Sequence, residues 1–448
     1  MNLASKILSY STLLWCCHAV SQQSNPVSAD EQLAYQLVEQ LTVEIGPRLA
    51  GSPADAKAVG WAVQQFKQLG YDKVWTEQFT TPYWQRGNAR LEILSPFPQS
   101  LVLTALGGSV GTDAAGIDAS VVMFDSLEQL MAAKAEQVQG KIVFINKIMT
   151  KDKMGSQYGQ VVGARSKGAV EAAKLGAKAL IIRSVGTSQN RFAHTGKMSY
   201  QDDVAKIPAV AISAPDAMQL SKILQRAPEA KLKLTMENHT ADAISHNVIA
   251  EMTGSERPEE IVLISAHLDS WDQGTGALDD GAGVGLVMAT GALLKKIGQP
   301  KRTVRVVLFG NEEGGLVGAR AYAAKHAAEL SRHVVATESD FGAGRIWRFD
   351  SKFGSKALPL AAQIQQQLAH LQIEAGSNQA YGGPDVSVLA SLGVPVVSLE
   401  QDGSDYFDYH HTPNDTLDKI DPAALMQNQQ AWLIMTRELA NSDVDLRK

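Results

Sequence analysis

Histidine, aspartate and glutamate residues in the second half of the chain have the types and the order of a hydrolytic metal site. In chain order they are His267, Asp279, Glu312-Glu313, Asp340 and His411. Imidazole and carboxylate groups are the side chains that hold catalytic zinc. Two metal ions with an open coordination position activate water and polarise a carbonyl. The set therefore predicts hydrolysis of an amide bond without a serine or cysteine nucleophile.

The charges of this set suit a pair of divalent ions that share one aspartate. Asp279, Glu313 and Asp340, together with one hydroxide, would neutralise two Zn²⁺ ions, and buried charge is costly unless it is neutralised. If Asp279 bridges the two ions, His267 and Asp340 would be the other protein ligands of one ion. Glu313 and His411 would be those of the second ion. Each ion would then have three protein ligands and share an open position, as catalytic zinc requires.

Two further carboxylates have predicted roles beside the ions. Glu312, adjacent to the ligand Glu313, is the predicted general base, which would take a proton from the metal-bridged water and return it to the departing amine. Asp269, two residues after His267, is predicted to orient the imidazole through its carboxylate. His410 is adjacent to His411, and spacing alone leaves the choice between these two histidines open.

Taken singly, each of these motifs has an ordinary structural explanation. A lone His-x-Asp is usually a surface pair, Asp279-Asp280-Gly281 is typical of a turn, and Glu312-Glu313-Gly314 suits a helix start. Each motif lies near the end of an apolar run, and this placement together with their order favours a catalytic metal site over these structural explanations. The runs that precede His267, Glu312, Asp340 and His411 are Ile261–Ala266, Thr303–Phe309, His333–Thr337 and Val394–Leu399.

These runs alternate with helical periodicity, which predicts a βαβ-type α/β fold. Open α/β sheets bind ligands at the carboxyl ends of their strands, so the candidate residues should meet at one edge. The chain opens with helices over about 31–45 and 54–69 and a strand at Lys73–Phe79. Residues 115–240 differ from the rest of the chain: short predicted strands alternate with helices, and no cluster of residues has the spacing of metal ligands. We predict a domain inserted there between two parts of the catalytic domain, 22–114 and 241–448; the alternative is one large continuous sheet.

Composition narrows the class of protein further. The 448 residues exceed one ordinary core, which favours two domains. Hydrophobic and charged contents of 45% and 20% are typical of a soluble globular protein. A net charge of −6 and a pI near 6.0 argue against nucleic acid or an anionic membrane surface as a partner.

The N-terminus has the pattern of a secretory signal peptide, residues 1–21. Lys6 precedes the apolar run Ile7–Trp15, and Ala19-Val20-Ser21 fits a small-residue cleavage site. The run is too short to span a bilayer. The alternatives are a buried first helix, or lipid attachment at one of the two cysteines, Cys16 and Cys17, which the bulky Trp15 disfavours. The sequence predicts a secreted or periplasmic protein whose mature chain contains no cysteine.

Several strings around the candidate residues resemble the co-catalytic di-zinc exopeptidase family, which includes leucyl aminopeptidases and glutamate carboxypeptidases. The resemblance is closest to the plasma glutamate carboxypeptidase (carboxypeptidase Q) branch, for which the His267-Leu268-Asp269-Ser270-Trp271-Asp272 string is specific. The other matching strings are Gly276-Ala277-Leu278-Asp279-Asp280-Gly281, Asn311-Glu312-Glu313-Gly314, Glu338-Ser339-Asp340, Tyr381-Gly382-Gly383-Pro384-Asp385 and His411-Thr412-Pro413-Asn414-Asp415-Thr416.

The resemblance implies a phosphorylase/hydrolase-like α/β domain with a mixed central sheet flanked by helices, and a protease-associated domain as the insertion. It implies two Zn²⁺ per chain, an Asp279–Asp280 cis peptide and often a homodimer. The last motif favours His411 over His410, and Tyr381 corresponds to a tyrosine that stabilises the tetrahedral intermediate. The implied activity is an exopeptidase acting on dipeptides or short peptides, of carboxypeptidase or dipeptidase type.

Three alternatives stand beside this hypothesis. An aminopeptidase of the same family would need a carboxylate for the substrate ammonium, whereas a carboxypeptidase would need an arginine or backbone donors for the terminal carboxylate. Glu338, Arg345 and Arg348 are candidates for these roles. A relative that has lost catalysis would be a binding module, although Glu312 and all five ligand types are intact. A glutaminyl cyclase relative would use one zinc and lack an equivalent of His267.

Overall fold

The computed structural model describes residues 30–448. The predicted signal peptide, residues 1–21, and both cysteines lie outside the described residues. In the described part, strands and helices alternate along most of the chain, as an α/β fold requires.

Fourteen strands are present in the described part of the chain. Their bounds are β1 Lys73–Ser95, β2 Gln99–Leu101, β3 Leu103–Ala105, β4 Ile117–Phe124, β5 Ile142–Ile145, β6 Ala179–Arg183, β7 Ala209–Ile212, β8 Lys231–Met252, β9 Arg257–His267, β10 Arg302–Phe309, β11 His333–Glu338, β12 Ile346–Lys352, β13 Glu374–Ala375 and β14 Val396–Gln401.

Twelve α-helices connect or cover these strands between residues 30 and 448, and short 3₁₀ and π turns extend several of them. The α-helices are α1 Leu33–Gln40, α2 Pro53–Gln68, α3 Leu127–Met131, α4 Ala135–Val138, α5 Tyr158–Lys174, α6 Ala214–Arg226, α7 Ala282–Ile297, α8 Val317–Lys325, α9 Leu358–Leu368, α10 Pro384–Ser391, α11 Tyr406–Tyr409 and α12 Pro422–Asn441.

The central sheet is mixed, as the resemblance implied. Strand β9 lies in its middle, parallel to both neighbours, β10 and β11. Strand β14 continues the parallel part beside β11, whereas β8 is antiparallel to β10 and β12 is antiparallel to β14. The carboxyl ends of β9, β10, β11 and β14 therefore lie at the same edge.

Both faces of β9 are buried because successive side chains enter different cores. Val262 and Ile264 pack into the core that contains α1, α7 and α12. Ile261 and Leu263 pack into a second core with residues of α8 and α10. Burial on both faces explains why this strand is a continuous apolar run in the sequence rather than an alternating one.

Residues 115–240 contribute their own parallel strands, β4 to β7, with β3 antiparallel at the edge. One face of these strands packs in an apolar core of its own, whereas the other face belongs to the central core. Their hydrogen bonding is nevertheless continuous with the central sheet, because β4 pairs with the first half of β8 while β10 pairs with its second half. Strand β1, antiparallel to β8 over most of its length, spans both parts.

Helix α7 and the turn before it form a segment, Ala277–Ile297, that is long and apolar enough to cross a membrane. The whole apolar window is buried inside the protein, where the helix packs against α1, α12 and β9. The segment is therefore the central core helix of this fold. Gly285 and Gly291 allow Ala34 and Tyr71 to approach it closely.

The buried ion pair between Glu251 of β8 and Arg305 of β10 provides a test of this sheet. Glu251 Oε1 lies 2.9 and 2.7 Å from Nε and Nη2 of Arg305. We expect Glu251→Gln to lower the free energy of unfolding by about 3–5 kcal/mol, because the guanidinium stays buried without its counterion. Urea denaturation measures this. Glu256→Gln removes an exposed pair with Lys301 and should cost less than about 1 kcal/mol; equal losses would contradict the expectation.

Candidate metal centre

His267, the last residue of β9, faces the candidate acidic ligands with one ring nitrogen. Its Nε2 lies 3.0 Å from Asp279 Oδ1 and 3.5 Å from Asp340 Oδ1. The other nitrogen, Nδ1, donates to the backbone carbonyl of Asp269 at 3.0 Å. This donation fixes the ring and leaves the lone pair of Nε2 directed at the two carboxylates, which is the arrangement that a zinc ligand needs.

The structure corrects the predicted contact of Asp269. We expected its carboxylate to orient His267, but Oδ1 lies 3.8 Å from Nδ1 and the backbone carbonyl takes the hydrogen bond instead. The carboxylate of Asp269 is fully buried and accepts a hydrogen bond from the backbone N–H of Glu312 at 3.0 Å. It therefore joins the end of β9 to the turn after β10.

Asp279 stands between the two halves of the site. Its Oδ1 faces His267, as described above, and its Oδ2 lies 3.2 Å from Nε2 of His411. The carboxylate of Asp415 fixes this segment by accepting the N–H groups of Leu278, at 2.6 Å, and of Asp279, at 3.3 Å. Two oxygens that face different ligand sets are what a bridging carboxylate requires.

The Asp279–Asp280 peptide bond is cis, as the resemblance implied. Asp280 points away from the cavity and holds the backbone on either side of the site. Its Oδ2 accepts the N–H of His267 at 3.2 Å, and its Oδ1 accepts the N–H of Gly283 at 3.0 Å, at the start of α7. Of the two adjacent aspartates, Asp279 therefore contacts the candidate histidine ligands, whereas Asp280 contacts backbone N–H groups.

His411 and Glu313 form the second half of the cluster. Nε2 of His411 lies 3.1 Å from Oε2 of Glu313. The ring has one face against His410, with centroids 3.5 Å apart. Its Nδ1 lies 3.3 Å from the backbone carbonyl of Thr195 and 3.3 Å from Nη1 of Arg165. Thr195 lies in residues 115–240, the segment predicted to be an insertion, so this segment contacts the candidate ligand.

His410 is the less favourable of the two adjacent histidines as a ligand. Its Nε2 lies 3.7 Å from Asp279 Oδ2, farther than that of His411. Burial and the positive charge of His411 lower the pKa of His410 well below its usual value. A neutral imidazole stacked behind His411 supports that ring without adding charge. The geometry agrees with the motif-based preference for His411.

Burial and like charge dominate the electrostatics of the cluster. Burial, followed by the charge of Asp279, raises the pKa of Glu313 to about 7, although His411 opposes the shift. Burial and the charge of Asp340 raise the pKa of Glu312 well above its usual value. Burial would also raise the pKa of Asp279, but contacts with His267 and His411 outweigh it and hold that pKa low. Added positive charge would relieve this repulsion.

The candidate catalytic groups line one cavity of about 860 Å³ at the carboxyl edge of the sheet. Glu312 follows β10, and its backbone is held by Asp269. Asp340 follows β11. Tyr381 is 61% exposed at the wall of the cavity, and its hydroxyl has Ser387 as a side-chain hydrogen-bond partner. All of the predicted site residues thus lie at or directly behind this cavity. Of the proposed terminus-binding residues, Glu338 and Arg348 line it, whereas Arg345 does not.

The donor set fits two cations that share a carboxylate. Ligand atoms of His267, Asp279 and Asp340 lie within 4.8 Å of one another, and so do those of Asp279 with the two adjacent histidines. Both groups contain Asp279. In addition, Oε1 of Glu313 is buried and has no hydrogen-bond partner among residues 30–448. Such a carboxylate oxygen beside an imidazole is suited to a cation.

Two supporting residues have no separate signal in the sequence. Arg48 is fully buried and donates to the backbone carbonyls of Leu268, Thr275 and Gly276, which fixes the loop before Asp279. Asp415 stands in the last quoted motif, but only the structure shows that it holds the backbone of Asp279. Neither role follows from spacing, because both depend on contacts across more than a hundred residues of chain.

Comparisons with known proteins give a consistent relationship. The sequence profile of Peptidase family M28 matches residues 247–436. Carboxypeptidase Q of Rattus norvegicus is 37% identical over 412 residues, which cover 92% of this chain and 86% of the relative. The crystal structure of a Peptidase M28 precursor from Shewanella amazonensis has a TM-score of 0.92 and 50% identity, with 94% of this chain and 96% of that chain covered.

The likeness in fold extends to a more distant structure. BSAP, a zinc aminopeptidase from Bacillus subtilis, has a TM-score of 0.68 over 95% of this chain and 99% of that chain. Its sequence identity is 21%, so it supports the fold alone.

The two adjacent histidines allow a direct test of the cluster. We expect His411→Gln to weaken the binding of one of two Zn²⁺ ions by more than about 100-fold, because it removes the nitrogen that faces both Asp279 and Glu313. His410→Gln, which is matched in size and burial, should retain two ions. Zinc titration with elemental analysis of each variant measures the stoichiometry. Loss of an ion in His410→Gln alone would reverse the assignment, and a wild-type protein that binds one ion would contradict the shared site.

Proposed function

The chain belongs to peptidase family M28 and is a zinc-dependent exopeptidase, and we propose that it releases the C-terminal residue of dipeptides or short peptides. The observation that carries this proposal is the position of Asp279, with one oxygen toward His267 and the other toward His411, at the floor of an open cavity. The name carboxypeptidase Q of its relatives supports the C-terminal direction.

We further propose two zinc ions per chain. His267 and Asp340 would hold one, Glu313 and His411 the other, and Asp279 would belong to both. When bound, zinc supplies a Lewis acid that polarises the scissile carbonyl and lowers the pKa of water. The ions would also neutralise the buried carboxylates whose repulsion is described above.

Glu312 is the proposed general base. It lines the cavity beside Glu313, and the hydrogen bond from its backbone N–H to Asp269 fixes its position. It would take a proton from the attacking water and deliver it to the nitrogen of the leaving residue. A carboxylate that carries a proton between these two steps needs a pKa above its ordinary value, and burial shifts the pKa of Glu312 in that direction.

Tyr381 and Asp269 are proposed as supporting residues. The Tyr381 hydroxyl is available to donate a hydrogen bond to the oxygen of the tetrahedral intermediate, which develops negative charge. Asp269 acts through other residues, because its backbone carbonyl orients His267 and its carboxylate holds the backbone of Glu312. It is therefore a positioning residue.

Replacement of the base tests this mechanism. We expect Glu312→Gln to lower kcat for a dipeptide by about 10²–10⁴-fold with little change in zinc content, because the amide cannot accept the proton. Steady-state kinetics on the zinc-loaded protein measure it. Glu171→Gln, a change at a partly buried surface position of α5 that does not line the cavity, is the control and should retain activity. Wild-type turnover by Glu312→Gln would exclude this base, and a wild-type protein that binds zinc and peptide without turnover would favour the binding-module alternative.

We also propose that the protein is exported and that residues 115–240 form an inserted protease-associated domain. The pattern of residues 1–21 supports export. The apolar core on one face of β4 to β7 supports a distinct domain, although the other face belongs to the central core and β4 is hydrogen-bonded to β8. The catalytic domain would then comprise residues 22–114 and 241–448.

Mass spectrometry tests both proposals on protein produced with its natural N-terminus. The exported protein should have a mass that corresponds to cleavage after Ser21 and absence of both cysteines. Limited proteolysis of the same sample should cut near residues 113–116, in the exposed turn where the chain enters the insertion. An intact N-terminus in the cell pellet would contradict export, and cuts confined to other loops would contradict this boundary.

A further inference from the structure

Lys197 is a charged residue in the cavity without a counterion. It belongs to the inserted segment, lines the cavity, and is only partly exposed. Its ammonium has no hydrogen bond or ion pair within residues 30–448, whereas Arg348, another cation of the cavity wall, is bound to Asp350 at 2.6 Å. A partly buried ammonium without a partner is costly unless an anionic ligand binds it.

The backbone holds Lys197 in place from both sides. The N–H of Gly107 donates to the carbonyl of Gly196 at 3.0 Å, and the N–H of Met198 donates to the carbonyl of Gly107 at 2.9 Å. These bonds bracket Lys197 on a fixed segment. The backbone at Lys197 is therefore held by the fold.

The ammonium of Lys197 lies against the turn that presents the general base. A Cβ atom added at Gly315 would be 2.4 Å from its Nζ, and the N–H of Gly315 donates to the carbonyl of Glu312 at 2.7 Å. Burial, followed by the positive charge of Arg320, lowers the pKa of Lys197, while the negative charge of Glu312 opposes both effects. Glu312 is thus the carboxylate whose charge acts on Lys197.

This position decides which part of a substrate would meet the ammonium. Glu312 delivers its proton to the nitrogen of the leaving residue, so that residue must lie beside Glu312. In a dipeptide, the terminal carboxylate is attached to the Cα next to that nitrogen. A cation beside Glu312 can therefore reach this carboxylate, whereas the substrate ammonium lies on the other side of the scissile carbonyl.

From this placement, and resting on the proposed exopeptidase function, we propose that Lys197 binds the terminal carboxylate of the residue released from the substrate. The inserted segment thereby selects peptides in which a single residue with a free C-terminus follows the scissile bond. A charge-assisted hydrogen bond of this kind also fixes the leaving nitrogen opposite Glu312.

A comparison of Ala-Leu with Ala-Leu amide tests the proposal. The zinc-loaded wild-type protein should favour the free acid by about 10- to 100-fold in kcat/KM. Lys197→Met should bring this ratio near 1, mainly through KM for the acid, and Lys197→Arg should restore part of it. Lys206→Met, an exposed change on the same inserted segment, should leave the ratio as in wild type.

Binding measurements separate a recognition role from a structural one. In the Glu312→Gln background, calorimetric titration should give a lower Kd for Ala-Leu than for its amide, and added Lys197→Met should remove that difference. Equal losses for acid and amide would show a structural role and overturn the proposal. A preference for Ala-Glu amide over Ala-Leu amide that depends on Lys197 would also overturn the proposal, because it would identify a side-chain carboxylate as the ligand.

The controls distinguish this proposal from the proposed function. If the wild-type protein hydrolyses both Ala-Leu and its amide with a ratio near 1, the role of Lys197 is overturned while the exopeptidase function stands. If it hydrolyses neither substrate in the presence of zinc, the proposed function itself fails.

Discussion

Repulsion among buried carboxylates is the constraint on which this site depends. Asp279, Glu312 and Glu313 are packed around the two candidate histidines, and burial raises the pKa of both glutamates. In a low-dielectric environment such a group is stable only if positive charge is added or protons are retained. Divalent zinc supplies that charge more compactly than protonated side chains would. The excess of negative charge therefore explains why metal should bind at this cluster.

A rigid scaffold is needed to keep these groups in place, and it is built from backbone contacts. Strands β9, β10 and β11 end at one edge, so His267, Glu312 and Asp340 converge without long loops. Buried Arg48 and Asp415 then fix the loop that carries Asp279, whose carboxylate faces both halves. Because the supporting groups bind backbone atoms, the scaffold constrains where the ligands lie and leaves their side chains free to face the cavity.

Much of this arrangement could be predicted from the sequence, because local patterns encode it. The apolar run Ile261–Ala266 lies within β9, which extends beyond it at both ends. The strand before Glu312, β10, is also at the predicted position. The strand predicted at Lys73–Phe79 instead extends to Ser95, because pairing with β8 carries it through the polar region around Gly87. The acceptor for His267 was assigned to the wrong atom of Asp269, since residue spacing cannot distinguish a carboxylate from a carbonyl. The role of Arg48 could not be predicted, because the carbonyls of Leu268, Thr275 and Gly276 that it binds are more than two hundred residues away in the chain.

Residues 195–197, in the segment predicted to be an insertion, lie in contact with the metal-ligand cluster and the cavity. Gly196 has a φ of +127°, and a Cβ atom there would lie 2.3 Å from Nη1 of Arg165 and 2.6 Å from Nδ1 of His411. Any larger residue would therefore displace the histidine or the arginine. The neighbouring Thr195 offers its carbonyl to His411, and Lys197 reaches the turn of Glu312 on the opposite side. Three consecutive residues thus connect the orientation of one candidate ligand with the shape of the substrate cavity.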